Sequence, residues 1–348
     1  MTIATAESQH TAGCRTPWHL CARVAMVITL AAATFDLAGA QAAANASGFV
    51  APLALVQAQP GVFVHLGKLE NWEPGNGGDV ANIGFVVGSR CVAVIDTGGT
   101  PAVGQALRAA IGRTTPLPVC YVIATHAHPD HMLGSIAFTS LDPAPQFVAS
   151  ARYTATLAAR EPYYRNALQR DFGITLAHAG IVYPSVGVET TMDLDLGDRV
   201  LTLRAWPTAH TDNDLTVYDR RTRTLFASDL VFVQHLPALD GSLRGWVAAM
   251  DTLRGLDVAT VVPGHGAVSN AWPAAMDAQA AYLNSLLRDT RAAIKNGRTI
   301  QQAIDTIPVA APAGAPPWLL TERFHRRNIT AAYAELEWED EPPKGSSP

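Results

Sequence analysis

The chain's 348 residues, 48% apolar and 16% charged, are enough to bury a large core and too apolar for a disordered or fibrous protein. Lys and Arg total 25 against 30 Asp and Glu, a formal net charge of -5, so no positive field gathers phosphates and nucleic acid is set aside as a partner. Length alone leaves one domain or two open.

Arg15 and Arg23 precede a short apolar stretch from Val24 to Thr34, and Ala-x-Ala sites follow, of which Ala40-Gln41-Ala42 is the preferred cleavage point. The pattern predicts a signal peptide over 1–42 and a periplasmic or secreted protein. The stretch is too short for a stable membrane anchor. Cys14 and Cys21 would leave with this segment; Cys91 and Cys120 remain, without CxxC spacing. Each lies five positions before a predicted strand end, at Asp96 and Thr125, so the two could pair if those strands are parallel neighbours. Two separate buried thiols, acting as small hydrophobes, are the expectation.

Short β-rich runs bounded by Gly follow at 61–65, 84–87 and 92–95. Pro101 opens an amphipathic helix through Ile111, and Val119 to Ala124 is an apolar strand, so the three form a β-α-β crossover with a parallel pair. A helix is predicted over 150–171. Strands are predicted over 181–183, 191–194, 200–205, 215–218, 224–227 and 260–262, then helices over 276–294 and 300–307. The expectation is a domain over 50–308, of two mixed sheets face to face with helices outside, then a helical extension over 309–338 and a disordered tail over 339–348.

The strand ending at Ala124 runs into Thr125-His126-Ala127-His128-Pro129-Asp130-His131, so three of the chain's 11 His fall within six positions. His126 and His128 alternate by two, which puts both imidazoles on one side of an extended turn, while Asp130 and His131 follow Pro129 into the next helix. The loop lies past the carboxyl end of a strand, where open α/β sheets place their ligands. His with carboxylate and no thiolate leaves a bound metal Lewis-acidic and accessible, the signature of catalysis rather than of a closed structural site. His210, Asp229 and His265 share one local context, a strand end leading into a Gly, Pro or polar turn; each taken alone is a weak signal.

The H-x-H-x-D-H motif followed by His, Asp and His resembles the metallo-β-lactamase superfamily, over roughly residues 50 to 270. That resemblance implies an α/β fold, a four-layer αββα sandwich of two mixed β-sheets. It implies a metal-dependent hydrolase holding two Zn2+ per chain: His126, His128 and His210 on the first ion, Asp130, His131 and His265 on the second, and Asp229 between them. Asp96, in Val94-Ile95-Asp96-Thr97-Gly98, matches the family's buried aspartate beneath the site, a support and not a ligand. A hydroxide shared by the two ions would attack the substrate carbonyl, with Asp130 relaying a proton.

Asp229 stands where class B β-lactamases usually carry Cys or Ser, and Leu230-Val231-Phe232 lacks their nearby Lys. An Asp there is similar to glyoxalase II and related ester or thioester hydrolases. Gly77-Gly78-Asp79-Val80-Ala81-Asn82-Ile83-Gly84 and His235-Leu236-Pro237-Ala238-Leu239-Asp240-Gly241-Ser242 resemble the exported quinoprotein relay system zinc metallohydrolases. The resulting expectation is an exported hydrolase of a small-molecule ester, thioester or lactone, with a functional link to quinoprotein dehydrogenases and with His235, Asp240 and Ser242 lining the substrate pocket. A plain loop with an incidental His is the other reading of that last segment. The competing functions are a class B β-lactamase, a mononuclear iron persulfide dioxygenase-like oxidoreductase, and a zinc-binding accessory without turnover.

Overall fold

Alternation along one strand sets the layering. In β4 (Val92–Ile95), Ala93 and Ile95 face the second sheet while Val92 and Val94 face a helix, the period of two that a strand buried on both faces requires. A computed structural model describes residues 51–177, 180–310 and 316–339. The predicted signal peptide, and all of the predicted tail but Glu339, lie outside the described residues.

The first sheet runs in chain order: β1 (Val56–Gln59), β2 (Val62–His65), β3 (Ile83–Val87), β4, β5 (Val119–Ile123), β6 (Gln146–Ser150) and β7 (Val186–Val188). Its first three pairings are antiparallel and its last three parallel. The second sheet has the order β12 (Thr260–His265), β11 (Thr224–Phe232), β10 (Leu215–Asp219), β9 (Val200–Ala205) and β8 (Thr191–Asp195). Only β11 and β12 pair in parallel there.

Between the sheets Val62, Val86, Ile95 and Ile123 meet Leu203, Val217, Phe226 and Val262. Helix α1 (Pro101–Thr114) covers the first sheet through Val103, Leu107 and Ile111; Pro101 opens it and the Thr100 hydroxyl accepts from the Val103 N–H. Helix α2 (Tyr153–Phe172) follows β6 and ends at Gly173, whose positive φ of 67° suits a residue without Cβ. Helices α3 (Leu243–Arg254), α4 (Asp277–Lys295) and α6 (Thr321–Leu336) cover the second sheet through Trp246, Tyr282, Leu286 and Ile329, with the short α5 (Ile300–Thr306) between α4 and α6. The layers are helix, sheet, sheet, helix, as the sequence predicts. Among the described residues no helix is long and apolar enough to cross a membrane.

Three expectations need correction. Cys91 and Cys120 are not separate thiols but a disulfide, with Cα atoms 5.7 Å apart, because β4 and β5 are parallel neighbours with Val92 opposite Val119. The helix predicted from residue 150 starts at Tyr153, because 146–150 completes the parallel sheet as β6. The edge strand β7 is Val186–Val188 rather than 181–183; Ile181 instead packs against α2 beside Leu157 and Leu168. Helix α3 had no counterpart in the sequence reading.

Candidate metal centre

The loop after β5 is fixed by its backbone before any ligand is considered. The Thr125 N–H and hydroxyl donate to the two oxygens of Asp96, each at 2.8 Å. The Ala127 N–H donates to Asn213 Oδ1 at 2.9 Å, and the Tyr164 hydroxyl donates to the Ala127 carbonyl at 2.8 Å. Pro129 then opens a single helical turn, Pro129–Met132, which carries Asp130 and His131.

The other three residues come from the second sheet: Asp229 within β11, His265 at the end of β12 and His210 in the connection between β9 and β10. Asp229 sits within β11, where the pairing with β12 shifts register on either side of Ser228 and Ser228 itself has φ 46°; this irregularity turns the carboxylate inward. The Gln279 side chain of α4 then accepts from the Phe232 N–H at 2.7 Å and donates to the Leu230 carbonyl at 2.8 Å, satisfying backbone that the ladder leaves unpaired. His265 ends β12 after Gly264, where any Cβ would overlap Asp229 Oδ1, so glycine alone leaves the carboxylate its place. His210 lies in a turn whose Thr211 N–H and hydroxyl donate to Asp214, a carboxyl that burial pushes up to about 7.

These segments bring together all seven predicted ligand residues as two groups, His126, His128, His210 and Asp229 in one and Asp130, His131 and His265 in the other, with the donor atoms in each within 4.8 Å of one another. In the first, His128 Nδ1 lies 3.0 Å from His126 Nε2 and 3.1 Å from His210 Nε2. In the second, Asp130 Oδ2 lies 3.8 Å from His131 Nε2 and 3.4 Å from His265 Nε2. Asp229 divides its oxygens between them. Its Oδ2 is 3.3 Å from His210 Nε2 and 3.7 Å from His126 Nε2, whereas its Oδ1 is 3.1 Å from His131 Nε2 and 3.5 Å from His265 Nε2.

The outer nitrogen of each ring is held by an acceptor. His128 Nε2 faces Asp240 Oδ2 at 2.8 Å and His131 Nδ1 faces Asp96 Oδ2 at 2.8 Å. His210 Nδ1 faces the Ala238 carbonyl at 2.6 Å, and His265 Nδ1 faces the Val80 carbonyl at 2.9 Å. His126 Nδ1 lies 3.1 Å from Thr125 Oγ1, whose own proton goes to Asp96. Each outer nitrogen thereby donates its hydrogen away from the site, and the inner nitrogens are the atoms left facing one another.

The donor set fits divalent metal. His131 Nε2 and Asp229 Oδ1 are buried without a hydrogen-bond partner, although 3.1 Å apart, which is costly unless an ion sits between them. Burial keeps His126 well below its ordinary pKa and lowers His210 to about 4, so both rings are neutral. Burial opposes ionisation of Asp229, but the charges of His131 and His265 outweigh it and hold the carboxyl well below the usual range. Imidazoles and carboxylates without thiolate suit zinc in an open site.

A cavity of about 230 Å³ opens above the two groups. His235 and Asp240 line it, but Asp240 is committed to His128 and to the Arg160 guanidinium. Ser242 does not line it. Its hydroxyl accepts from the Gly245 N–H at 3.0 Å and donates to Glu335 at 2.7 Å, which makes it the cap of α3. The Gly77 to Gly84 segment acts through Asn82, which donates to the Pro263 and Gly266 carbonyls and so fixes the turn carrying His265. Sequence reasoning missed Arg160, Tyr164 and Asn213; the 160/164 spacing on one helical face was the available signal for the first two.

A family model described as the metallo-beta-lactamase superfamily matches residues 76–265. The chain belongs to that superfamily. The matched span contains Asp96 and every candidate ligand, and the superfamily assignment makes the chain a metal-dependent hydrolase. Among solved structures, a metallo-beta-lactamase from Pontibacter korlensis aligns over 67% of this chain and 99% of its own, at 20% identity and TM-score 0.54. A stereoselective inverting sec-alkylsulfatase from Pseudomonas sp. aligns over 85% of this chain and 52% of its own, at 14% identity and TM-score 0.61, so this chain spans about half its length. Both are likenesses of fold. No curated protein matches the chain.

Proposed function

We propose that this superfamily hydrolase is an exported enzyme that holds two zinc ions and cleaves an ester, thioester or lactone-type carbonyl. The observation that carries the reading is the division of Asp229, one oxygen to each group of ligands. Zinc bound there supplies Lewis acidity and lowers the pKa of bound water from about 15.7 to about 7. The chain's own residues do the rest. The five outer ring nitrogens are clamped, so the imidazoles do not reorient as a substrate arrives. Asp130 is 17% exposed and faces the cavity, so its carboxylate can take a proton and pass it to a departing group. Phe232, Leu239 and Phe324 give the cavity apolar walls that exclude water from the scissile bond.

Export is supported by the Arg-flanked apolar stretch before Ala40-Gln41-Ala42 and by the Cys91–Cys120 disulfide, a bond that persists in oxidising compartments. A functional link to periplasmic quinoprotein dehydrogenases belongs to the same reading, on the resemblance of the 77–84 and 235–242 segments.

The test counts metal and turnover in one sample. The expected result is about two zinc per chain, with hydrolysis of thioesters or lactones in preference to β-lactams and sec-alkyl sulfates, abolished in His128→Ala. One iron per chain with oxygen uptake, or equal rates in the wild type and His128→Ala, would overturn it.

A further inference from the structure

Two arginines of the last helix line the same cavity from outside the family-matched span. Arg323 and Arg327 are four residues apart on α6, hence on one face. Their guanidinium carbons lie 5.8 and 6.0 Å from the centre of the Phe324 ring between them. Phe324 in turn lies 5.0 Å from the His235 ring, and His235 lies 4.9 Å from the candidate ligand His265. A continuous aromatic wall therefore connects the metal groups to a pair of cations.

The pair has no acidic partner among the described residues. Each carboxylate of the cavity is otherwise engaged. Asp130 and Asp229 face the metal groups, Asp240 is shared by His128 and Arg160, and Glu70 accepts from Asn76 Nδ2 at 3.1 Å. Arg160 is accordingly spent on Asp240, whereas Arg323 and Arg327 keep their donors for a ligand. The pose of α6 is not left to chance: Asn328, one residue past Arg327, donates to the Pro237 carbonyl at 2.7 Å and accepts from the Leu239 N–H at 2.9 Å. Those bonds fix the arginine face against the loop that also carries His235 and Asp240.

We infer that Arg323 and Arg327 form a subsite for an anionic group of the substrate, a carboxylate or sulfonate-like oxyanion at the end of an apolar body whose other end reaches the metal groups. The inference rests on reading the cavity as a substrate site, and it narrows the substrate class to anionic esters, thioesters or lactones. A guanidinium pair suits such a group because it offers forked donors to planar or tetrahedral oxyanions.

The experiment is a calorimetric titration of the zinc-loaded full-length protein with 3-phenylpropane-1-sulfonate and with its uncharged counterpart, 3-phenylpropyl methyl sulfone. The sulfonate is expected to bind about tenfold more tightly, equivalent to about 1.4 kcal/mol, and R323Q/R327Q is expected to erase that preference. Both substitutions are on exposed side chains, and an unchanged melting temperature and zinc content confirm that the fold persists. With esters that carry a carboxylate tail, the double variant should raise KM and leave kcat unchanged. Equal binding of the two probes by the wild type, or a preference that survives in R323Q/R327Q, overturns the subsite. A charge preference without hydrolysis of any ester would keep the subsite and fail the hydrolase reading, so the two are separable.

Discussion

His128 Nε2 lies 2.8 Å from Asp240 Oδ2, and the same oxygen takes the Arg160 guanidinium. The least buried of the three clustered imidazoles is thereby steered by a residue 112 positions away. Asp240→Asn replaces the acceptor of His128 with an amide and releases Arg160. Zinc affinity measured by chelator competition should fall about 10- to 100-fold, the usual cost of losing an outer partner of a metal-binding His. Unchanged affinity would mean that Asp240 serves Arg160 alone.

Asp96 holds four groups at once: the Thr125 N–H, the Thr125 hydroxyl, His131 Nδ1 and, at 3.4 Å, the Ser228 hydroxyl. It does so at φ 55°, a left-handed conformation that Asn tolerates better than most residues, so Asp96→Asn tests the charge without breaking the backbone. The expected outcome is a loss of roughly 1 to 3 kcal/mol in urea unfolding, because a buried charged acceptor is replaced by a weaker one. Metal analysis should show zinc lost together with that stability. Full zinc content in Asp96→Asn would contradict its support of His131.

The legible part of the molecule was the part whose chemistry is local. The 125–131 run carries four candidate ligands within seven positions, and the strands around it alternate in the expected way. What remained hidden depends on contacts far apart in sequence. Ser242 looked like a pocket residue because it ends a distinctive segment, but Glu335, 93 positions on, shows it to be a helix cap. The Cys91–Cys120 bond required the register of β4 against β5, which spacing alone does not give. The run at 146–150 has the apolar content of either a strand or a helix start, and only its place beside β5 decides.

Arg199 and Asp219 form a buried pair at 2.6 Å, and Arg199 also donates to the Pro60 and Val87 carbonyls, both 3.1 Å away. The pair therefore ties the second sheet to the turns of the first. Arg199→Ala removes the only cation paired with the buried Asp219 among the described residues and leaves its carboxylate to the Arg221 and Thr222 donors, a change that costs about 3 to 5 kcal/mol in comparable cases. Denaturant unfolding should show a loss of that order; a cost below about 1 kcal/mol would place the pair with the weak surface bridges.

His65 supplies the clearest pH dependence away from the metal groups. Its Nδ1 lies 2.9 Å from the Ala54 carbonyl and its Nε2 lies 2.8 Å from Asp79 Oδ1. Both neighbours are acceptors, so the doubly protonated ring alone satisfies both. Burial works against that charge, but the hydrogen bonds to Asp79 and Ala54 prevail and raise the pKa above 6.5. A raised folded value means that the folded chain binds the proton more tightly. The stabilisation is then fully present below pH 6.5 and is lost as pH rises through the folded value. Urea unfolding of the zinc-loaded wild type and of His65→Gln between about pH 5.5 and pH 9 should show the wild type's advantage shrinking across the alkaline half of that range. An advantage that stays constant, or that grows with pH, would mean that His65 is neutral in the folded protein.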